Sequence, residues 1–348
     1  METKVFYLDE QKIDMDIIKY AAGVIRNGGT VVFPTETVYG LGANALDENA
    51  AKKIFEAKGR PQDNPLIIHV ADKNIKPFVV DIPSDAEKLM DIFWPGPLTI
   101  IFEKSKIIPY MITAGLDSVA VRMPSNKIAN ELIKHSKVPI AAPSANLSGK
   151  PSPTSVNHVI KDLYGKVDVI LGGGKTKVGL ESTVVDMTGR PAVLRPGGIT
   201  YEQLKSIIKD VYIDPAVLKK PDPNLRPKAP GMKYRHYAPK AKMFIIDGSS
   251  SDTVDKINEL CRISMGEGKR VGILCTDETS KFYKEGVVLT MGERSRPKTI
   301  AASLFDRLRK FDELNVDVIY SECVGESGIG LAIMNRMKKA AGYNIIHV

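Results

Sequence analysis

The chain has 348 residues, of which 43% are hydrophobic and 26% charged, and its formal net charge is +8. This length suffices for two ordinary domains, and the composition is that of a soluble globular protein. No apolar run approaches the roughly 20 residues of a membrane helix, and acidic residues stand near the N-terminus where a secretion signal would be apolar. We therefore expect a cytoplasmic protein, whose positive charge favours anionic partners such as nucleotides or RNA.

Hydrophobic periodicity in the first half predicts helices that alternate with short buried strands. The predicted helices span residues 13–27, 49–57, 84–93, 126–135 and 199–208. The predicted strands span residues 30–33, 66–70, 98–102, 119–124, 140–142, 167–171 and 180–186. After the last of these strands, Val193–Gly198 is predicted to close Arg195 into a turn.

Two glycine-rich runs resemble nucleotide-binding loops but lack residues that such loops need. Gly40-Leu41-Gly42 has no third glycine, because Ala45 stands in that position, and we predict a tight turn there. The run 172–176 ends in GKT, but a P-loop needs a glycine where Val169 stands, inside a strand. Both nucleotide motifs are therefore rejected.

The stretch from Lys58 to Val70, KGRPQDNPLIIHV, lacks the pattern of a helix or strand that packs in a hydrophobic core. Pro65 disfavours a helical conformation at Asn64, so Lys58 and Arg60 are predicted to leave a helix end and enter an extended segment. Such a segment presents two cations to an acidic group. A solvated loop with ordinary surface charges is the alternative.

The turn Pro143-Ser144-Ala145-Asn146 follows a strand of small residues. Small residues let a ligand lie close to the backbone, while Ser144 and Asn146 supply short donors and acceptors. A polar turn that caps a helix is the alternative interpretation.

Prolines dominate the segment 211–239, which we interpret as an extended linker. Its end, PGMKYRHYAP, places two tyrosines, a histidine and two cations in one loop. Long segments of this kind inside compact proteins are often functional, so we predict a lid or a substrate-contacting arm.

The second domain is predicted to begin near Ala241 and to alternate strands and helices, as in a small parallel sheet. Its predicted strands span 242–246, 270–275, 287–291 and 316–322, and its predicted helices span 253–265, 299–315 and 331–341. The glycine-rich run 325–330 before the last helix suits either a phosphate or simple loop flexibility. Because no catalytic constellation is evident here, we expect an accessory or regulatory role. Cys261, Cys275 and Cys323 stand singly, so no disulfide framework or zinc site is predicted.

Cations, hydroxyls and amides dominate the polar residues that follow the strands of the first half. Glu36 and Glu181 are isolated in the sequence, and no GxSxG or HExxH motif is present, so hydrolase chemistry lacks a nucleophile or a metal. Three arginines and a lysine suit a triphosphate together with an amino or keto acid. Such a pocket accelerates a reaction by positioning and charge stabilisation.

Four segments, PTETVYGLG, KGRPQDNPL, PSAN and ESTVVD, resemble the YrdC domain in identity and order. With the PGMKYRHYAP arm and the small α/β domain, the chain resembles the two-domain threonylcarbamoyl-AMP synthase family over nearly its whole length. This resemblance implies an α/β fold with a twisted, mixed-sheet catalytic domain over 1–210 that contains a concave cavity. It further implies a linker arm over the active site at 211–239 and a smaller Rossmann-like domain at 240–348.

The resemblance implies a nucleotidyltransferase that joins L-threonine, bicarbonate or CO2, and ATP into threonylcarbamoyl-AMP and pyrophosphate. The product would feed the threonylcarbamoyladenosine modification of tRNA next to the anticodon, which a separate transferase complex completes. The implied cofactor is Mg2+, which enters with ATP and is held mostly by phosphate oxygens and water.

The resemblance also implies residue roles, carried over by matching motifs. The implied threonine-binding residues are Thr37, His69, Arg122, Ala142 (through its backbone) and Ser182. The implied ATP-binding residues are Arg60, Asn64, Ser118, Ser144, Asn146, Ser152, Arg195 and Tyr234, with Tyr234 closing over the nucleotide from the arm. Lys58 and Arg60 are the implied catalytic cations, and no protein side chain is assigned as a metal ligand.

The sequence is compatible with two rival functions. The first is a non-catalytic module for double-stranded RNA or tRNA, although no arginine-rich run or RRM-type aromatic motif is present. The second is a carbamoyl-transfer enzyme of the hydrogenase-maturation kind, which shares the YrdC domain. Chains of that kind carry zinc-finger cysteines, and the three single cysteines argue against it.

Overall fold

The computed structural model describes residues 2–220, 227–230 and 236–348. The chain divides into two compact units: a first unit of residues 1–148 and 152–234, and a second unit of residues 149–151 and 235–348. This division assigns no role to the segment 211–239, so the lid, and with it the predicted three-part organisation, stays a prediction.

The first unit is built on a mixed sheet whose strands run in the order β1-β8-β2-β3-β7-β4-β6-β5-β9-β10-β11. The strands are β1 Lys4–Tyr7, β2 Val31–Phe33, β3 Gly40–Asn44, β4 Ile67–His69, β5 Leu98–Glu103, β6 Ser118–Arg122, β7 Ile140–Ala141, β8 Val169–Gly172, β9 Thr183–Asp186, β10 Ala192–Arg195 and β11 Tyr212–Ile213. The helices are α1 Met15–Arg26, α2 Glu48–Lys58, α3 Ser84–Phe93, α4 Tyr110–Thr113, α5 Lys127–Ser136, α6 Val156–Leu163, α7 Tyr201–Ile207 and α8 Pro215–Leu218. The predicted mixed-sheet α/β fold is thereby confirmed.

Helices cover both faces of this sheet. Val32 of β2 packs in one hydrophobic cluster with residues of α2, α3 and α7, while its neighbours Val31 and Phe33 pack in another with residues of α1 and α5. Successive side chains of a strand point to opposite faces, so these two clusters lie on opposite sides of the sheet. Strands that are buried on both faces read as continuous apolar runs, which is why the sequence reveals them.

The two ends of helix α2 determine where Lys58 and Arg60 lie in the chain. Its N-terminus is capped by Asp47, whose carboxylate accepts hydrogen bonds from the backbone of Asn49 and Ala50. Its C-terminus is ended by Gly59, which has the left-handed φ of 60° that glycine adopts without strain. Lys58 is thereby fixed as the last helical residue, and Arg60 begins the next segment.

Several local predictions were wrong. Gly40 and Gly42 do not form a tight turn but lie in β3, paired antiparallel with β2. A side chain at Gly42 would place its Cβ 2.5 Å from Ile140 and 2.7 Å from Phe33, so glycine is required there by close packing within the sheet. Arg195 ends the strand β10 instead of lying in a turn. The elements β1, β11, α4, α6 and α8 were not predicted, because most are too short for periodicity to show.

The second unit is a parallel sheet in the order β14-β13-β15-β12-β16, which confirms the predicted Rossmann-like α/β domain. Its strands are β12 Lys242–Asp247, β13 Val271–Cys275, β14 Val287–Thr290, β15 Val318–Glu322 and β16 Ile345–His347. Its helices are α9 Ser250–Gly266, α10 Pro297–Glu313 and α11 Gly330–Ala340, with a 3-10 turn at Ser280–Phe282. The edge strand β16 was not predicted. Within the described part of the chain, every helix is too short or too polar to cross a lipid bilayer.

Candidate active site

Adjacent strands of the first unit bring three of the polar residues into one row. His69 ends β4 and pairs with Arg122, the last residue of β6. Arg122 pairs in turn with Thr99 of β5. All three side chains are buried, with 4% or less of their surface exposed. Residues at the same end of neighbouring strands lie side by side, so this sheet edge concentrates polar groups that are far apart in sequence.

Arg122 and His69 form the electrostatic centre of this row. Arg122 Nη2 donates to Glu36 Oε1 at 2.7 Å, and Glu36 Oε2 also accepts from the backbone of Ser125. Burial, together with the nearby positive charge of Arg122, lowers the pKa of His69 to about 3. His69 Nδ1 lies 3.2 Å from Ile67 O. His69 is therefore a neutral imidazole at physiological pH.

Ser182 and Arg195 extend the row to the next two strands. Ser182 lies just before β9, and its Oγ is 2.7 Å from Thr99 Oγ1. Arg195 donates from Nη2 to Ser182 Oγ and from Nε to Ser182 O, both at 3.0 Å. A third bond runs from Nη1 to Pro230 O at 3.4 Å. The guanidinium group thus connects the end of β10 with the start of β9 and with the last described residue before position 231.

Lys58 and the turn Ser144–Asn146 form a second cluster. Lys58 is 2% exposed, and its Nζ donates to the carbonyls of Ser144 and Asn146, both at 2.5 Å. Ser144 Oγ donates to Asn146 Oδ1, and Lys58 O accepts from the backbone of Ser148. Lys58 is therefore buried, which excludes for this residue the alternative of an ordinary surface charge, and its ammonium holds the serine-x-asparagine motif through two backbone carbonyls.

Ser152 and Ala142 connect the two clusters. Ser152 Oγ donates to Glu181 Oε1 at 2.5 Å, and Glu181 directly precedes Ser182. The backbone of Ala142 donates to Ile67 O, two residues before His69. Thr37 Oγ1, fully buried, lies 2.8 Å from Thr35 Oγ1. Ser152 is thus bonded to the residue before Ser182, and Ala142 to the strand that ends at His69.

Arg60, Asn64 and Ser118 lie toward the opposite end of the strands. Ser118 begins β6, so it is roughly 13 Å from Arg122 at 3.3 Å per residue. Arg60 Nη2 donates to the carbonyls of Asn64 (3.3 Å) and Pro65 (3.1 Å). Asn64 is 2% exposed, and its Oδ1 finds no donor among the residues that the structure describes. A buried acceptor of this kind is costly unless a ligand supplies the missing donor.

The predicted site residues fall into these groups with one exception. Tyr234 lies outside the described residues, so its predicted position over the nucleotide is not addressed. Sequence reasoning missed the partners Thr99, Glu36 and Glu181, and it treated the two glutamates as isolated. The signal was present, since both stand beside hydroxyl residues next to buried strands, in PTET and EST.

Metal-binding side chains do not cluster in the described ranges 2–220, 227–230 and 236–348. No group of three or more His, Cys, Asp or Glu side chains there could hold a metal ion. Glu36 and Glu181 are instead each engaged with a protein donor.

Comparison with known proteins identifies both units. A family model described as "Telomere recombination" (Sua5_yciO_yrdC) matches residues 23–197, and one described as "Threonylcarbamoyl-AMP synthase, C-terminal domain" matches residues 199–342. Among curated relatives, the threonylcarbamoyl-AMP synthase of Pyrococcus abyssi is 52% identical over 97% of this chain and 98% of its own. The enzyme of that name from Bacillus subtilis is 47% identical over 99% and 100%.

A solved structure gives the same result at the level of the fold. The crystal structure of Pyrococcus abyssi Sua5 complexed with L-threonine superposes with a TM-score of 0.94 at 51% identity, covering 99% of both chains. The chain therefore belongs to the Sua5/YciO/YrdC family, in its two-domain form with a threonylcarbamoyl-AMP synthase C-terminal domain.

Proposed function

We propose that the protein is an enzyme that makes threonylcarbamoyl-AMP and pyrophosphate from L-threonine, bicarbonate or CO2, and ATP. Relatives with this activity in their name are 52% and 47% identical over nearly their whole length, and one of the similar structures was solved with L-threonine. The observation that carries the proposal is a pair of buried polar clusters. One joins Lys58 to Ser144 and Asn146, and the other joins Arg195 to Ser182, whose chain neighbour Glu181 accepts a hydrogen bond from Ser152.

The row from His69 to Ser182 suits threonine. Arg122 offers a fixed positive charge for the carboxylate, and its pairing with Glu36 holds the guanidinium in place. Thr37 and Ser182 supply hydroxyls for the ammonium and hydroxyl groups of the amino acid. His69, being neutral, adds a ring nitrogen without adding charge. The backbone at Ala142 completes this proposed set.

The remaining residues suit ATP. We assign the purine end to Arg60, Asn64 and Ser118, because the buried Asn64 Oδ1 would accept a hydrogen bond from the adenine amino group or a ribose hydroxyl. The phosphates are assigned to Ser144, Asn146, Ser152 and Arg195, beside the ammonium of Lys58. Tyr234 is proposed to close over the nucleotide from the arm 211–239.

The chemistry follows from these charges. The ammonium of threonine first loses a proton, and the free amine adds to CO2. An N–C bond forms as one C=O π bond of CO2 opens, and a second proton leaves the nitrogen to water, which gives a carbamate. A carbamate oxygen then attacks the α-phosphorus of ATP, and the bond to the bridging oxygen breaks, so that pyrophosphate leaves with its electron pair. Lys58 and Arg195 stabilise the charge that develops on the phosphoryl group and on the leaving pyrophosphate, whereas the position of Arg60 at the purine end leaves its predicted catalytic role as binding of the nucleotide. A closed arm would protect the carbamate from loss to water.

Magnesium is proposed to enter with ATP. The oxygens that the chain offers beside Lys58, Ser144 Oγ and Asn146 Oδ1, are hard neutral ligands of the type that Mg2+ accepts, and phosphate oxygens and water complete its shell. When bound, the ion would neutralise charge on the leaving pyrophosphate.

The partners of this reaction extend beyond the substrates. Threonylcarbamoyl-AMP would be consumed by a separate transferase complex that modifies the tRNA adenosine next to the anticodon. We place the reaction in the cytoplasm as part of this proposal, since ATP and the tRNA modification are available there.

One experiment tests the proposed function directly. The purified protein is mixed with ATP, Mg2+, bicarbonate and L-threonine, and threonylcarbamoyl-AMP is sought by mass spectrometry while pyrophosphate is measured separately. We expect both products, and neither when threonine is omitted. Pyrophosphate release that does not depend on threonine, or binding of tRNA without binding of ATP or threonine in calorimetric titrations, would contradict the proposal.

A further inference from the structure

A three-residue segment, Gly149–Pro151, belongs to the second unit although the chain on either side of it belongs to the first. Pro151 O accepts two hydrogen bonds from the guanidinium of Arg309, from Nε at 3.1 Å and from Nη2 at 2.6 Å. Gly149 O accepts a third from the backbone of Ala238 at 3.0 Å. The carbonyls of Gly149 and Pro151, on either side of Lys150, therefore both accept hydrogen bonds from residues of the second unit.

Arg309 is built into the second unit as a rigid donor. It lies on α10 and is 7% exposed. Phe305, one turn earlier on the same helix, stacks on Tyr237 with ring centroids 5.1 Å apart. The guanidinium of Arg336 lies over the same tyrosine ring, 5.5 Å from its centre. The two groups that hold the segment, Arg309 and the backbone after Tyr237, thus share one packed cluster.

Peptide bonds join the same segment to the proposed phosphate site. Ser148, immediately before it, donates its backbone N–H to Lys58 O, and Ser152, immediately after it, donates its hydroxyl to Glu181. Ser144, Asn146 and Ser152, three of the proposed ATP-binding residues, all lie on this one stretch, 144–152. The stretch is therefore fixed at its ends by the first unit and in its middle by Arg309.

We propose that Arg309 is a positioning residue for ATP, and that the second unit serves the reaction by holding the stretch 144–152 through the carbonyl of Pro151. This inference rests on the proposed function. A buried guanidinium that gives two donors to one neutral carbonyl restrains both the position and the direction of that carbonyl, since its donors form a planar fork. The proposed threonine residues lie outside 144–152, so the effect is specific to the nucleotide.

The test uses the full chain with Arg309→Ala and, as a matched control, Lys310→Ala, which removes an exposed cation of the same helix that pairs with Glu313. Hydrogen exchange of the peptide 144–154 measures positioning without any ligand, and calorimetric titration measures ATP and threonine binding separately. In Arg309→Ala we expect faster exchange and ATP affinity lower by about tenfold or more, as for the loss of a hydrogen bond to a charged group. Threonine affinity should stay within about twofold, and Lys310→Ala should match the unsubstituted protein in all three measurements.

Each outcome decides the matter. Unchanged exchange and unchanged ATP affinity in Arg309→Ala would overturn the inference while leaving the proposed function intact, and so would an equal loss of threonine binding. Failure of the unsubstituted protein to bind ATP or threonine would overturn the proposed function and this inference with it. If Arg309→Ala does not fold, Arg309→Lys replaces it, because lysine keeps the charge but not the fork. We expect the Arg309→Lys protein to bind ATP several-fold more weakly and to keep its threonine affinity. Unchanged ATP affinity in this variant would reject the inference.

Discussion

Arg195 connects three points of the first unit through one buried side chain. Its donors reach both oxygens of Ser182 and the carbonyl of Pro230, while 5% of the residue is exposed. Removing the guanidinium leaves buried acceptors without their charged donor, and each such hydrogen bond is worth about 1.5–3 kcal/mol. Ser182 is a proposed threonine contact and Arg195 a proposed phosphate contact, so this residue affects both substrates.

We expect Arg195→Lys to lower the synthetic rate by about a hundredfold or more, although it retains the charge, because lysine cannot donate in the directions of the fork. The measurement is the rate of pyrophosphate release at saturating substrates, with circular dichroism to verify the fold. Arg190→Ala is the control, since Arg190 is an exposed residue whose guanidinium packs over the Tyr212 ring. Near-normal turnover of Arg195→Lys would show that the directed donors of the Arg195 guanidinium are not needed for the reaction.

His69 makes stability depend on pH in a defined window. Burial lowers its pKa from an ordinary 6.5 to about 3, so the unfolded chain binds a proton between these values that the folded chain does not. The stabilisation that comes from a neutral His69 is therefore fully present above pH 6.5, and it is lost as the pH falls from 6.5 toward 3. Between pH 7 and pH 4.5 the loss amounts to roughly 2–3 kcal/mol of unfolding free energy.

We expect His69→Asn to reduce this acid sensitivity. Urea unfolding at pH 7 and at pH 4.5 gives the change in unfolding free energy for each protein, and that change should be smaller in the variant by about 2 kcal/mol. His135→Asn is the control, because His135 is partly exposed on α5 beside Glu131. Equal pH dependence of His69→Asn and the unsubstituted protein would show that His69 is not kept neutral by the fold.

At the scale of elements, the helices and strands with a clear hydrophobic pattern were predicted from the sequence. Helix α3, Ser84–Phe93, was predicted to the residue because its apolar positions repeat with helical spacing, and long strands such as β5 are visible as buried apolar runs. The two-residue strand β11 shows no period of its own and was not predicted, whereas β7 was predicted from its run of small apolar residues. β3 was mistaken for a turn because its glycines serve close packing against Phe33 and Ile140, which is a tertiary requirement.

The candidate site was predictable to a similar extent. The motifs supplied Lys58, Arg60, Ser144 and Asn146, because their residue types and spacing are specific to a family. Which partner each residue binds depends on strand order, as when β5 and β9 bring Thr99 beside Ser182. Strand order in a mixed sheet is not encoded by local periodicity, so the burial of Lys58 against two carbonyls could not be read from the sequence.

The short strand β11 supports the site from the edge of the sheet. It pairs with β10, which ends at Arg195, and Val211 and Val217 on either side are 3% and 6% exposed. A chain that ends at Asp210 therefore loses this support, whereas a chain that ends at Lys220 keeps it. Burying two valines contributes about 3 kcal/mol or more.

We expect the chain 1–220 to be more stable than the chain 1–210 by roughly that amount and to bind threonine more tightly. Thermal unfolding and calorimetric titration with L-threonine measure the two differences. A chain 1–210 that matches 1–220 in both would show that β11 and α8 do not support the first unit.

At the scale of the molecule, each unit has its own core and its own buried polar network. In the second unit, the carboxylate of Glu322 at the end of β15 is 1% exposed. It accepts hydrogen bonds from the hydroxyls of Thr276, Thr279 and Tyr283, from the backbone of Thr276 and from Arg294. A buried carboxylate that accepts this many hydrogen bonds fixes the ends of the neighbouring strands β13 and β15. Glu322 is not one of the residues proposed to bind a substrate.

We expect Glu322→Leu to lower the unfolding free energy by about 3 kcal/mol, near the low end for a broken buried ion pair because the Arg294 side chain is partly exposed. Glu322→Gln should cost less, since the Thr279 and Tyr283 hydroxyls are able to rotate and accept from the new amide. Thermal unfolding measures both losses, and Glu326→Gln, an exposed glutamate that pairs with Lys338, is the control. Threonine affinity should be unchanged in Glu322→Gln, because every proposed threonine residue lies in the first unit. If Glu322→Gln weakened threonine binding at a temperature where the protein is fully folded, the assignment of the threonine site to the first unit alone would be wrong.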